Sequence, residues 1–176
     1  MSTRGIWGFK FNNEYKTTYN HCDSYPSYLG VNLKNQLTNY TIDQLKEIFE
    51  RIILVNDTDI IPKDIAKEII DGGFANERGL NNKHYTNTDY YSFLREWQGE
   101  IEPYLKCSHP YMCDGNNYDS FIDYSYIIDL DEELFITYNG HYKNDERLRV
   151  FNLSELRSIS DDEYIDLCEY DIETEE

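Results

Sequence analysis

The densest collection of chemically able side chains in this chain is Tyr19-Asn20-His21-Cys22-Asp23-Ser24-Tyr25-Pro26. It brings imidazole, carboxylate, amide, hydroxyl and phenol groups together where a strand gives way to a turn, as loop-borne sites on rigid scaffolds do. Read as a strand, the segment points His21 and Asp23 to the same side, so the carboxylate could orient or charge the imidazole. That pair is the candidate for general-base chemistry of a phosphodiesterase or related hydrolase. A second enzymatic route is an N-terminal nucleophile at Ser2, exposed on removal of Met1, as in amidohydrolases of that class.

A second dense patch is Leu94-Arg95-Glu96-Trp97-Gln98-Gly99. On a helix Arg95 and Gln98 lie three apart on one face, able to grip a carboxylate, a phosphate or a base edge. Arg4, just before the first predicted strand, is the other base near these elements. The expected ligand-binding set is therefore Arg4, Asn20, His21, Asp23, Tyr25, Arg95 and Gln98. It would form a positive spot on a negative protein, suited to a small anionic ligand of nucleotide type.

Cys107, His109 and Cys113 lie within seven residues, but no second ligand pair at finger-like spacing follows, so no metal is expected. The four cysteines are scattered and read as reduced thiols. Gly-x-Ser-x-Gly, His-Glu-x-x-His, phosphate-loop and dinucleotide signatures do not occur, and no cofactor is expected.

The elements that must hold these groups follow from periodicity. Residues 6–11 and 15–21, aromatic and β-branched, flank the turn Asn12-Asn13-Glu14 as a hairpin. A short helix is predicted from about Val31. The capping box Thr41 to Gln44 opens an amphipathic helix over 42–54. Pro62 starts another that Gly72-Gly73 stops. Residues 74–87 read as a loop, and Thr88-Asp89 caps a helix with Tyr90, Phe93, Leu94 and Trp97 turned inward, weakened by Gly99. Residues 124–129 and 134–138 form a second hairpin, apolar on both faces and so central, and 149–151 an edge strand. The expected fold is α+β: a mostly antiparallel sheet built from two β-hairpins, about 5–19 and 124–138, with helices packed on it.

Thirty-four acidic side chains against 16 basic ones leave a formal charge of −18, yet half of it lies in the last 17 residues, where nine acids stand without a base. A single α+β domain over 1–159 followed by an acidic C-terminal helix or tail over 160–176 is expected, with Tyr164, Leu167 and Cys168 turning its first half onto the body. The excess charge repels phosphates and anionic lipid, which excludes direct nucleic-acid and membrane binding by the bulk surface and favours a basic protein partner or simple solubility. No apolar run approaches the roughly 20 residues of a membrane span, and no signal-peptide core is visible, so a cytoplasmic location is expected.

Five blocks carry a resemblance: Thr3-Arg4-Gly5; Tyr19-Asn20-His21-x-Asp23-Ser24-Tyr25-Pro26-x-x-Leu29-Gly30; Leu94-Arg95-Glu96-x-Gln98-Gly99; Tyr126 to Asp131; and Tyr138-Asn139-Gly140. Together, spanning about three-quarters of the chain, they resemble an uncharacterised group of small proteins from phages and bacterial genomes. The group has Thr where this chain has Trp97 and Trp-Tyr where it has Tyr90-Tyr91. The resemblance implies a phage or mobile-element accessory protein, cytoplasmic in a bacterial host, and carries no activity with it. The expected function is inhibition of a host defence by binding, favoured over catalysis. The target is either a small anionic nucleotide-type ligand or a basic defence protein, the chain then acting as an acidic nucleic-acid mimic. Self-association into a homo-oligomer stays open.

Overall fold

The computed structural model describes residues 3–74, 88–116, 118 and 121–169. The N-terminal run pairs as β1 (Gly5–Phe11) and β2 (Glu14–Asn20) around Asn12 and Asn13. Both asparagines take positive φ, 51° and 62°, the backbone of a two-residue hairpin turn. The second hairpin, β5 (Tyr124–Asp129) and β6 (Leu134–Asn139), continues into the edge strand β7 (Arg147–Asn152). The five strands run in the order β2-β1-β5-β6-β7, antiparallel except where β1 lies parallel to β5. The expected α+β architecture from two hairpins is what the chain adopts, and the parallel seam between them is what joins the hairpins into one sheet.

That seam is fastened at both ends. The Arg4 amide donates to the Asp123 carboxylate at 2.7 Å. At the far end Lys10 Nζ reaches the Asp129 carboxylate at 2.6 Å, and the Asn12 amide reaches Asp131 at 3.1 Å. Asp129 is buried, but its other oxygen accepts the amides of Asp131 and Glu132, so one carboxylate closes the β5–β6 turn and holds the neighbouring strand.

One sheet face carries Trp7, Phe9, Tyr126, Ile128, Phe135 and Phe151 into the main core beneath the helices. These are α1 (Val31–Leu37), α2 (Ile42–Arg51), α3 (Lys63–Asp71), α4 (Tyr90–Phe93), α5 (Glu102–Lys106) and α6 (Asp161–Glu169). The other face carries Ile6, Tyr19, Ile127, Ile136 and Tyr138 into a smaller, tyrosine-rich cluster with Tyr142, Ile122, Tyr91 and Tyr118. The central hairpin is thus covered on both sides, as its two apolar faces predicted. Among the described residues no helix is long and apolar enough to cross a membrane.

The Thr41 box forms in both directions, the Gln44 amide donating to Thr41 and the Thr41 amide to Gln44. The helix it opens ends at Arg51 rather than at 54. Ile53–Val55 leaves as β3 to pair in parallel with β4 (Tyr111–Cys113), which the β-branched run favours. The helix end is finished by Lys16, whose ammonium donates to the carbonyls of Phe49 and Ile52 at 2.8 and 2.9 Å. The helix expected after Asp89 makes one turn, continues as a tighter turn over Arg95–Trp97 and stops at Gly99, where φ is +82°. Residues 75–87, most of the predicted loop, lie outside the described residues.

The C-terminal helix is anchored, not appended. Tyr164 and Cys168 are fully buried, while Leu167, expected to point inward, is 37% exposed. Its first residue, Asp161, accepts from the buried Lys34 ammonium at 2.9 Å and from Asn35 at 3.2 Å, and the Lys34 bond above all holds the Asp161 carboxyl below its ordinary 3.8. A depressed carboxylate pKa adds stability that is fully present above the unfolded value and is lost as pH falls through the folded one. Asp161→Asn should therefore lower urea stability at pH 7, leaving the Lys34 charge without its acid, and match wild type well below pH 3.8. Equal stability of the two proteins at pH 7 would refute this.

Candidate functional site

The segment after β2 is built by local hydrogen bonds. The Asn20 amide donates to the carbonyl of Cys22 at 2.6 Å and to the Ser24 hydroxyl at 2.8 Å. Ser24 is fully buried, and its carbonyl accepts the Tyr126 hydroxyl at 2.8 Å from the sheet centre. Asp23 sits at φ +53°, its carbonyl accepting the Leu29 amide, and Pro26 opens a wide helical turn that runs straight into α1. Asn20 therefore works as a structural clamp on the loop.

This geometry corrects the alternation argument for His21 and Asp23. The strand ends at Asn20, and a left-handed residue at Asp23 breaks the period of two. Burial above all, and then the neighbouring Asp23 charge, push the Cys22 thiol's pKa up. Cys22 is accordingly no activated nucleophile. Ser2 lies outside the described residues.

Arg95 and Gln98 do not share a helix face either, because the chain turns extended at Gln98. Gln98 is instead a brace: its side-chain oxygen accepts the His21 amide at 3.0 Å, tying the 95–99 turn to the end of β2.

Two concave regions flank the 20–30 loop. Asn20, Asp23 and Gln98, with Cys22, Leu29 and Asn32, line a shallow groove of about 330 Å³. Tyr25 faces the other way, 6.1 Å from Tyr124, into a groove of about 510 Å³ at the end of the β5–β6 hairpin. Arg4, His21 and Arg95 line neither. His21 and Arg95 lie instead beside a tyrosine stack on the other sheet face. Tyr19 stacks on Tyr118 at 4.2 Å with Tyr91 at 6.4 Å, and the His21 ring meets Tyr19 edge-on at 6.1 Å. The Arg95 guanidinium lies 5.9 Å over Tyr91. Burial pushes the Tyr19 hydroxyl up to about 12 even though the Arg4 charge pulls it down. His21 and Arg95 thus flank one cluster of tyrosines, Tyr19, Tyr91 and Tyr118, whose rings pack against one another.

The Cys107 to Cys113 segment folds into β4 and its approach. The Cys107 thiol contacts the His109 carbonyl, while the His109 ring stacks on Tyr111 and sits 2.9 Å from Glu68. Burial raises the Cys113 thiol to about 12. Among the described residues no three His, Cys, Asp or Glu side chains are placed to hold a metal ion.

The larger groove was not visible in the sequence beyond Tyr25. Its other main wall residues, Phe121, Asp123 and Glu146, are brought together by the ends of β5 and β6; the faint local sign is an aromatic residue set in a polar run just before a strand. Comparison with protein-family models, curated proteins and solved structures finds no match to this chain.

Proposed function

We propose that this chain is a non-catalytic binding protein, an accessory factor of phage or mobile-element type that inhibits a host defence by covering a basic protein surface. The observation that supports this best is the outer face of α6. Asp162, Glu163, Asp166 and Glu169 are exposed there on a helix whose inner face is locked by Tyr164 and Cys168. Carboxylates held on a rigid helix meet a basic surface with little ordering cost, which distinguishes them from acids on a frayed end. Catalysis draws less support, since His21 and Asp23 do not stand on one strand face.

The test is plating of phage on a host carrying a nucleic-acid-cleaving defence, with and without the chain. Wild type should restore plating. A variant carrying Asp162→Asn, Glu163→Gln, Asp166→Asn and Glu169→Gln should melt near wild type yet lose about tenfold or more of the rescue. Undiminished rescue by this variant rules out the acidic face.

A second reading, a small nucleotide-type anion, draws on the Arg95 guanidinium over Tyr91 and the His21 ring beside Tyr19 on one side of the sheet, with Arg4 just before the neighbouring strand. Calorimetric titration with cyclic and linear nucleotides checks it; heat that disappears in Arg4→Gln and Arg95→Gln supports it, and no heat from any of them removes it.

A further inference from the structure

We propose that the groove beside the β5–β6 hairpin is the seat of an arginine or lysine side chain presented by a protein partner. This rests on the reading of that partner as basic and adds where it is gripped. The groove has about 510 Å³ of space, the size of a pocket for a small ligand or one long side chain. Its walls include Tyr25, Phe121 and Tyr124, with the carboxylates of Asp123 and Glu146 and the ring of His141. No Lys or Arg is among its described lining residues.

Phe121 is 77% exposed, the most exposed of the large apolar side chains described, and Tyr25 is 42% exposed in the same groove. Aromatic rings left open to water beside acids form the composition of recognition surfaces, not of ordinary solvated ones. The acids are pre-set as well. Asp123 accepts the Arg4 amide at 2.7 Å, its own amide donates to the Arg4 carbonyl at 2.9 Å, and its carbonyl accepts the Gly140 amide at 2.7 Å. Glu146 is approached by the Asn139 side chain at 3.5 Å. His141 accepts the Lys143 amide through Nδ1 and packs 4.7 Å from Tyr142, which holds its ring at the wall.

The chemistry selects the guest. An anion would be repelled by Asp123 and Glu146. A wholly apolar side chain would strip water from both carboxylates without replacing it, at a net cost. A guanidinium or ammonium meets the carboxylates while its plane or methylene stem lies on Tyr25 and Phe121, combining charge-assisted hydrogen bonds with cation–π contact.

The probe is an acetylated, amidated octapeptide of alternating glycine and arginine, with its citrulline counterpart as the uncharged control, added to the full chain and followed by amide chemical shifts. The expected result is shifts concentrated at Tyr25, Phe121, Asp123, Tyr124 and Glu146, absent with the citrulline peptide. Phe121→Ala and Glu146→Gln, both at exposed positions, should each weaken the response about tenfold with unchanged melting. Shifts confined to α6 would overturn the groove while leaving the basic-partner reading standing. Shifts nowhere would overturn both. Equal shifts with the citrulline peptide, or a wild-type dimer that Phe121→Ala converts to a monomer in sedimentation, would also overturn the proposal, the last by giving the groove to a second copy of the chain.

Discussion

Replacing Tyr164 with alanine is expected to remove a large share of the stability of the domain, although the residue lies in the acidic C-terminal segment. The ring is fully buried, 6.1 Å from Phe135 and 5.2 Å from Phe151, and its hydroxyl bonds Thr137 at 2.9 Å inside the sheet. It also closes against Gly30 at the start of α1, where a β-carbon would stand 2.6 Å from the hydroxyl oxygen. Truncating such an aromatic costs about 3–5 kcal/mol, against a total of about 5–15 kcal/mol for a domain. Tyr164→Phe, which leaves the Thr137 hydroxyl to find another partner, should cost about 1 kcal/mol. Urea unfolding with a constant m-value measures both. A loss below about 1 kcal/mol for Tyr164→Ala would mean that α6 does not belong to the core. Termination after Ser160 should cost at least as much as Tyr164→Ala, because it removes Tyr164, Cys168 and the Asp161 partner of Lys34 together. Any experiment that deletes the acidic segment whole therefore measures folding, and only neutralisation of its outer face isolates charge.

Gly8→Ala is the second large effect expected. Gly8 lies opposite Thr17 in the first hairpin, and a β-carbon there would sit 2.2 Å from the Lys16 carbonyl oxygen and 2.6 Å from the Thr17 α-carbon. Both obstacles are backbone, so no side-chain rotation relieves them, and β1 cannot move away because its other edge is paired with β5. A loss of about 3 kcal/mol follows, with amide protection falling first along β1 and β2. Thermal melting and hydrogen exchange read it directly. A melting temperature within about 1 °C of wild type would show that the strands can separate at no cost.

The two hairpins and the capped helix were legible because their signals are local: alternation, two asparagines at a tight turn, and a threonine three residues before a glutamine. The pairing of β1 with β5 was not, since its contacts bridge residues 119 apart and leave no periodic trace. Helix ends failed for a related reason. The run Ile52 to Val55 continues the helical stripe by type, yet β4, which arrives from more than fifty residues away, makes it a strand. The candidate site was legible as a set of neighbours but not as a cavity. His21 and Arg95 do flank one cluster, but its central stack is made by Tyr19 with Tyr118, which comes from a distant segment. The Phe121 groove escaped notice because its walls come from separate segments, around 25, 121–124, 139–141 and 146, none distinctive by itself.

The parallel seam has a kinetic consequence. Each hairpin closes a short loop and can form within microseconds, whereas joining them requires closure across more than a hundred residues before any seam contact repays the lost chain entropy. Docking of the hairpins is thus the natural slow step of folding. As the chain leaves the ribosome, the first hairpin must wait for residues 124–129 with the inner edge of β1 open. During that interval the unsatisfied amides and carbonyls of β1 are open to mispairing with another copy of the chain.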